Sequence, residues 1–153
     1  MIRDNYLRIQ EEVSRITSEN GIGQEVTIVA VTKNQPETVI PELASLGVSH
    51  FAENRVSALL ERAPLMNGTR HLIGHLQTNK VKKAISCADL IHSVDSFHLA
   101  QEISRCSGLL NQVTDILIQV NIAKESQKFG VYEEDLDELL KPVSEFKKGA
   151  VLA

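Results

Sequence analysis

The feature that most constrains this chain is a recurring pair. A short β-branched or apolar run is followed by an amphipathic stretch bounded by glycine or proline. The first run is Val26-Thr27-Ile28-Val29-Ala30-Val31-Thr32. It is apolar almost throughout, as a strand covered on both faces of a parallel sheet must be. The stretch behind it opens near Pro36, carries Val39, Ile40, Leu43 and Leu46, and stops at Gly47. Proline in a first turn and glycine past a last one are helix punctuation.

The pair then recurs along the chain. Residues 48–52 read as a second strand and 53–63 as its helix, with Val56, Leu59, Leu60 and Ala63 inward. Residues 70–74 form a third strand, and Thr78 or Asn79 caps a helix through Val81, Ala84 and Ile85. Residues 89–93 form a fourth, followed by a helix that Asp95 or Ser96 caps and that bears Leu99, Ala100 and Ile103. Residues 115–121 form a fifth, the clearest of all. A helix over 133–146 carries Leu136, Leu139, Leu140 and Val143, and Pro142 is expected to shorten or kink it. Residues 150–153 begin a sixth strand. Ahead of everything, Ile2, Tyr6, Ile9, Val13 and Ile16 share one face of a helix that ends near Asn20-Gly21. Strands alternating with helices predict α/β architecture with a parallel sheet and right-handed crossovers.

Composition narrows the function classes. The net charge of −4 gives no basic field for phosphate backbones, and the aromatic content of 4% with no Trp gives no stacking platform for single strands. Nucleic acid is therefore not an expected partner. Cys87 and Cys106 stand far apart, outside any CxxC spacing, and read as small, partly buried residues. No apolar run approaches the roughly 20 residues that span a bilayer, so a membrane is not expected either. Cytoplasm is the expected location.

Parallel α/β sheets bind ligands beyond the carboxyl ends of their strands. Those ends carry Lys33, Glu53-Asn54, His75, Ser93 with Asp95, and Asn121. No glycine-rich turn follows the first strand, which excludes a P-loop and a dinucleotide fingerprint. Each polar residue also has a plainer reading. Lys33 can be a solvated loop lysine, Glu53 and Asn54 can open a helix, and Asn121 can make an Asx turn. His71 and His75 are four apart but lack the central Glu and the helix that a zinc motif needs, so metal is not expected. His50, His92 and His98 read as scattered. Lys33 has a sharper possibility: a partly desolvated amine at a barrel mouth can form a Schiff base.

Six segments carry a resemblance. They are residues 29–33 (VAVTK), 51–56 (FAENRV), 71–82 (HLIGHLQTNKVK), 91–95 (IHSVD), 118–121 (IQVN) and 128–131 (KFGV). In their order and approximate spacing they resemble the pyridoxal phosphate homeostasis protein family, related to the N-terminal barrel of alanine racemase. The resemblance implies a parallel (β/α)8 TIM-type barrel with an extra N-terminal helix. It implies pyridoxal 5'-phosphate held as an aldimine on Lys33, with Asn54 close to the cofactor. It also implies a protein that carries or buffers the cofactor, with no catalytic residue and no metal. Apoenzymes that use the same cofactor are the partners it admits. Thr32 and Ala52 stand where the family commonly has serine and glycine.

The family's barrel has eight strands, and this chain accounts for about six. Residues 1–153 are therefore expected to form a single domain that is an incomplete barrel, a fragment of a longer protein. The family's phosphate-binding loops fall in the part beyond it. Two alternatives stay open at this point: a racemase-like enzyme using the same cofactor, and a fragment that does not bind it.

Overall fold

The structure, a computed structural model, describes residues 1–21, 23–146 and 151–152. Its sheet has six parallel strands: β1 (Ala30–Val31), β2 (His50–Glu53), β3 (Thr69–Leu72), β4 (Leu90–Val94), β5 (Asp115–Ile118) and β6 (Val151–Leu152). Their spatial order is their sequence order. A doubly wound sheet reverses its strand order at a switch point. A run of six without reversal is the winding of a (β/α)8 barrel.

Helices fill the connections: α1 (Ile2–Asn20) ahead of the sheet, then α2 (Val39–Ser45), α3 (Val56–Arg62), α4 (Val81–Ile85), α5 (Phe97–Leu109) and α6 (Leu136–Ser144). Side chains alternate across a strand, and burial shows which face the helices cover. Phe51, Leu72, Ile91 and Ile116 are fully buried in one cluster with Ile40, Leu59, Val81, Leu99, Ile103 and Val143 from the helices. Burying each such side chain contributes about 1.5–3 kcal/mol. The register Ala52↔His71, His71↔Leu90 puts the intervening positions on the other, inner face.

Several boundaries differ from expectation. The run 26–32 pairs only at Ala30 and Val31, because β1 bonds to β2 alone and β2 starts at His50. Among the described residues, 26–29 pair with no strand. Glu53 closes β2 instead of opening a helix, and α3 starts three residues later. Neither Thr78 nor Asn79 caps α4; a 3-10 turn over Thr78–Lys80 leads into it. Ser96 does cap α5, accepting from the Leu99 amide at 3.2 Å. The stretch 133–146 is α-helical only over α6, behind a 3-10 turn at Glu133–Asp135, with Pro142 inside the helix. In α1, Ile2, Tyr6, Val13 and Thr17 are half-buried while Ile9 and Ile16 stay exposed. Gly21 ends it with φ 60°, as expected. Of the expected sixth strand, residues 151 and 152 pair with β5; residues 150 and 153 lie outside the described residues.

Candidate functional site

Lys33 sits in a tight turn just past the end of β1. The Gln35 amide donates to the Thr32 carbonyl at 3.1 Å, so Lys33 and Asn34 are the turn's central residues. Asn34 takes φ 60°, a left-handed conformation that asparagine tolerates better than most residues. Lys33 is exposed, and among the described residues it makes no ion pair.

The turn is held from below. Arg62, at the end of α3, donates to the Thr32 carbonyl at 2.7 Å and to the Gln35 carbonyl at 2.8 Å. The same guanidinium lies 2.7 Å from Oε1 of Glu53. The Thr32 hydroxyl donates to that same oxygen at 2.7 Å. Glu53 is 0% exposed and Thr32 1%. Helix α3, strand β2 and the lysine turn are thus tied through one buried carboxylate. Oε2 of Glu53 has no hydrogen-bond partner among the described residues, nor has the buried Ser93 hydroxyl.

Asn54 follows β2 and is half-buried. The pairing Val31↔Ala52 lies two residues before both Lys33 and Asn54, so both follow strand ends at the sheet's carboxyl edge. Gly74, just past β3, packs directly on the Asn54 backbone: a Cβ there would collide with the Asn54 carbonyl. This close approach fixes Asn54 against the end of β3. Asn54 also borders a cleft of about 490 Å³ whose lining includes Val56, Leu60, His75, Lys80 and Lys83.

Further along the edge, the His75 ring stacks on Phe129 with centroids 3.7 Å apart and planes at 11°. Its Nδ1 is 3.8 Å from Asp95 Oδ2. Phe129 comes from the loop after β5, which Asn121 ties together. The Asn121 amide nitrogen donates to the Glu125 and Lys128 carbonyls at 2.9 and 3.3 Å, and its oxygen accepts from the Glu125 amide. Asn121 does not make the expected Asx turn: its side chain bonds the backbone four and seven residues on and so braces the loop.

The sequence-predicted positions at the strand ends therefore share one edge. Arg62 is not among them, and Glu53, expected both at a strand end and as a helix opener, closes β2. His50 and His92, read as scattered, line up with His71 on the inner face. Their equal spacing of 21 residues was the signal that could have found them. His71 and His75, by contrast, do not converge, and no group of three or more potential metal ligands forms among the described residues. Cys87 and Cys106 are buried and unpaired, and burial pushes both thiols up. No helix among the described residues is long and apolar enough to cross a membrane.

Sequential parallel winding with a polar edge at the strands' carboxyl ends defines a barrel-type α/β protein of the kind that binds ligands at that edge. The family model described as "Alanine racemase, N-terminal domain" matches residues 3–152, and the chain belongs to that family. It is 35% identical over 149 residues to the pyridoxal phosphate homeostasis protein of Aquifex aeolicus, covering 95% of this chain and 65% of that one. Among solved structures it is similar to PipY of Synechococcus elongatus with PLP bound. That match has a TM-score of 0.74 and 32% identity, covering 91% of this chain and 66% of PipY. It is also similar to an unknown protein from Bifidobacterium adolescentis, with a TM-score of 0.89 and 26% identity over 99% of this chain and 66% of that one. The chain thus spans just under two thirds of the length of these relatives.

Proposed function

We propose that residues 1–153 form one domain that binds pyridoxal 5'-phosphate at the carboxyl edge of the sheet, with Lys33 as the covalent anchor and Asn54 beside the cofactor. Its role is cofactor homeostasis in the cytoplasm, in exchange with apoenzymes that need the same cofactor, and it does not turn over a substrate. The observation that carries this is Lys33 itself. It is a primary amine on a braced turn at the ligand-binding edge that also carries Asn54, without a counter-ion among the described residues. The amine of Lys33 and the amide of Asn54 suit the aldehyde and the ring of the group. When bound, the cofactor supplies an aldehyde that condenses with a primary amine, losing water, and an electron-poor ring.

Lys33 supplies the amine. Arg62 and Glu53 hold the turn that presents it, so little backbone freedom remains to be lost on binding. Asn54, locked by Gly74, offers an amide that can donate and accept hydrogen bonds without changing charge. A racemase needs a second acid-base group opposite the lysine. Tyr6 instead lines a cavity beside Gly47, Val48 and His50, at the sheet's amino edge.

The test is incubation with pyridoxal phosphate, followed by absorbance, borohydride reduction and peptide mapping. The label is expected on the peptide containing Lys33 and is expected to vanish in Lys33→Ala. Equal labelling of the variant would overturn the assignment. Deuterium uptake into an amino acid at the α carbon would overturn the non-catalytic reading.

A further inference from the structure

Three histidines on adjacent strands meet on the inner face of the sheet. His50 is the first residue of β2, His71 the third of β3 and His92 the third of β4. His50 Nδ1 lies 3.0 Å from His71 Nε2, and His71 Nδ1 lies 2.8 Å from His92 Nε2. The ring centroids are 5.3 and 5.1 Å apart. His71 is 4% exposed, and its two neighbours are half-buried. The register explains the alignment. His71 pairs with Ala52, two residues past His50, and with Leu90, two residues before His92. The same two-residue stagger repeats at each step, as the tilt of a barrel's strands requires.

Hydrogen counting sets what such a row can do. Each N···N contact holds one hydrogen, since two would repel and none would leave no bond. Two contacts therefore take two hydrogens. The remaining nitrogens are the outer ones, His50 Nε2 and His92 Nδ1. Three neutral rings carry three N–H groups, so the third hydrogen sits on one outer nitrogen or the other. A fourth fills both outer positions and gives one positive charge with both contacts intact. A fifth would have to break a contact.

We propose that His50, His71 and His92 form one shared proton site, which takes up a single proton and relays it across three strands. The step balances. A proton binds at His50 Nε2. The hydrogen on His50 Nδ1 passes to His71 Nε2, and that on His71 Nδ1 passes to His92 Nε2. The hydrogen on His92 Nδ1 leaves to solvent. One proton enters and one departs, and the row ends neutral with its polarity reversed.

The surroundings give this row an opening. His50 borders a cavity of about 270 Å³ lined also by Tyr6, Gln10 and Glu25, so its outer edge faces a polar space. The titratable neighbours are Tyr6 and Glu25 on that side, Asp89 ahead of β4, and Asp115, which pairs with Leu90 from β5. Asp89 is itself bound by Arg70 at 2.9 Å. Strands β1 and β6 contain no titratable residue. Burial and the two flanking imidazoles lower His71 to about 4, so the charge of the loaded row resides on an outer ring.

Nitrogen-15 NMR of the imidazoles, on the full chain without cofactor, tests this independently of the cofactor reading. The readout is the number of protons the imidazoles take up on acidification. Together the three rings should bind one proton. His50→Phe leaves a two-ring contact, whose capacity by the same count is again one. His71→Phe isolates the outer rings, which should then bind two protons in separate transitions. Uptake of two or more protons by the unaltered row with His71 still bonded would overturn the proposal. So would unchanged curves for His50 and His92 in His71→Phe.

Discussion

The guanidinium of Arg62 sits 2.7 Å from a Glu53 carboxylate oxygen that is sealed from solvent. The same guanidinium holds the turn that carries Lys33. Removing one partner of a buried pair strands the other charge, which costs about 3–5 kcal/mol. Arg62→Met is therefore expected to lower unfolding stability by about that amount in a denaturant titration. The double variant Glu53→Met/Arg62→Met removes both charges and is expected to recover most of the loss. If the double variant were as unstable as the single, the loss would not lie in the stranded carboxylate.

Gly74 meets the Asn54 backbone with no room for a Cβ. Gly74→Ala must push the end of β2 away from the end of β3, an overpacking cost of about 1–3 kcal/mol. It is also expected to weaken pyridoxal phosphate retention, because Asn54 moves with its backbone. Gly108 in α5 provides the control, since a Cβ there meets nothing within 4 Å. Gly108→Ala is expected to stabilise by about 0.5–1 kcal/mol and leave retention unchanged. Thermal unfolding and dialysis against buffer measure the two effects.

Asn121 is buried and bonds to both ends of the loop that brings Phe129 onto His75. Asn121→Ala leaves the Glu125 amide and the Glu125 and Lys128 carbonyls without that partner, a loss of about 1–3 kcal/mol where such groups stay buried. The loop should open, and the stacked His75 proton signals should lose their ring-current shift. A preserved shift would mean that the stack holds without Asn121.

The parallel sheet was legible in the sequence because short apolar or β-branched runs alternate with amphipathic stretches, and six such runs follow one another. Their ends were not legible, because a strand extends only as far as its neighbour does. Residues 26–29 have strand character and, among the described residues, pair with no strand. Lys33 and Asn54 could be named because each lies next to a recognisable run. Glu53 was misread because a carboxylate ahead of an amphipathic stretch is normal at a helix start. Only the guanidinium nine residues later, reaching back over the strand, makes it a core residue. The histidine row escaped because helical and strand periods sample three, four or two residues. Its interval of 21 is the length of a whole strand-helix unit.

His71 makes acid stability depend on the inner face. Its folded value is about 4, against an ordinary histidine value of about 6.5 in the unfolded chain. Burial is the main cause, followed by His92 and His50, and burial lowers His92 as well. Between those two values the unfolded chain binds more protons than the folded one, so stability rises with pH there. The His71 contribution is complete above about pH 6.5 and is lost as the pH falls through about 4, amounting to on the order of 3 kcal/mol. His71→Phe removes that proton difference while filling much of the same volume. Its stability profile from about pH 7 to about pH 4 is therefore expected to be flatter than that of the unaltered chain. The carboxylates remain in both proteins, so the difference between the two curves isolates the histidine row. Parallel curves in denaturant titrations across that range would show that His71 is protonated as readily in the fold as outside it.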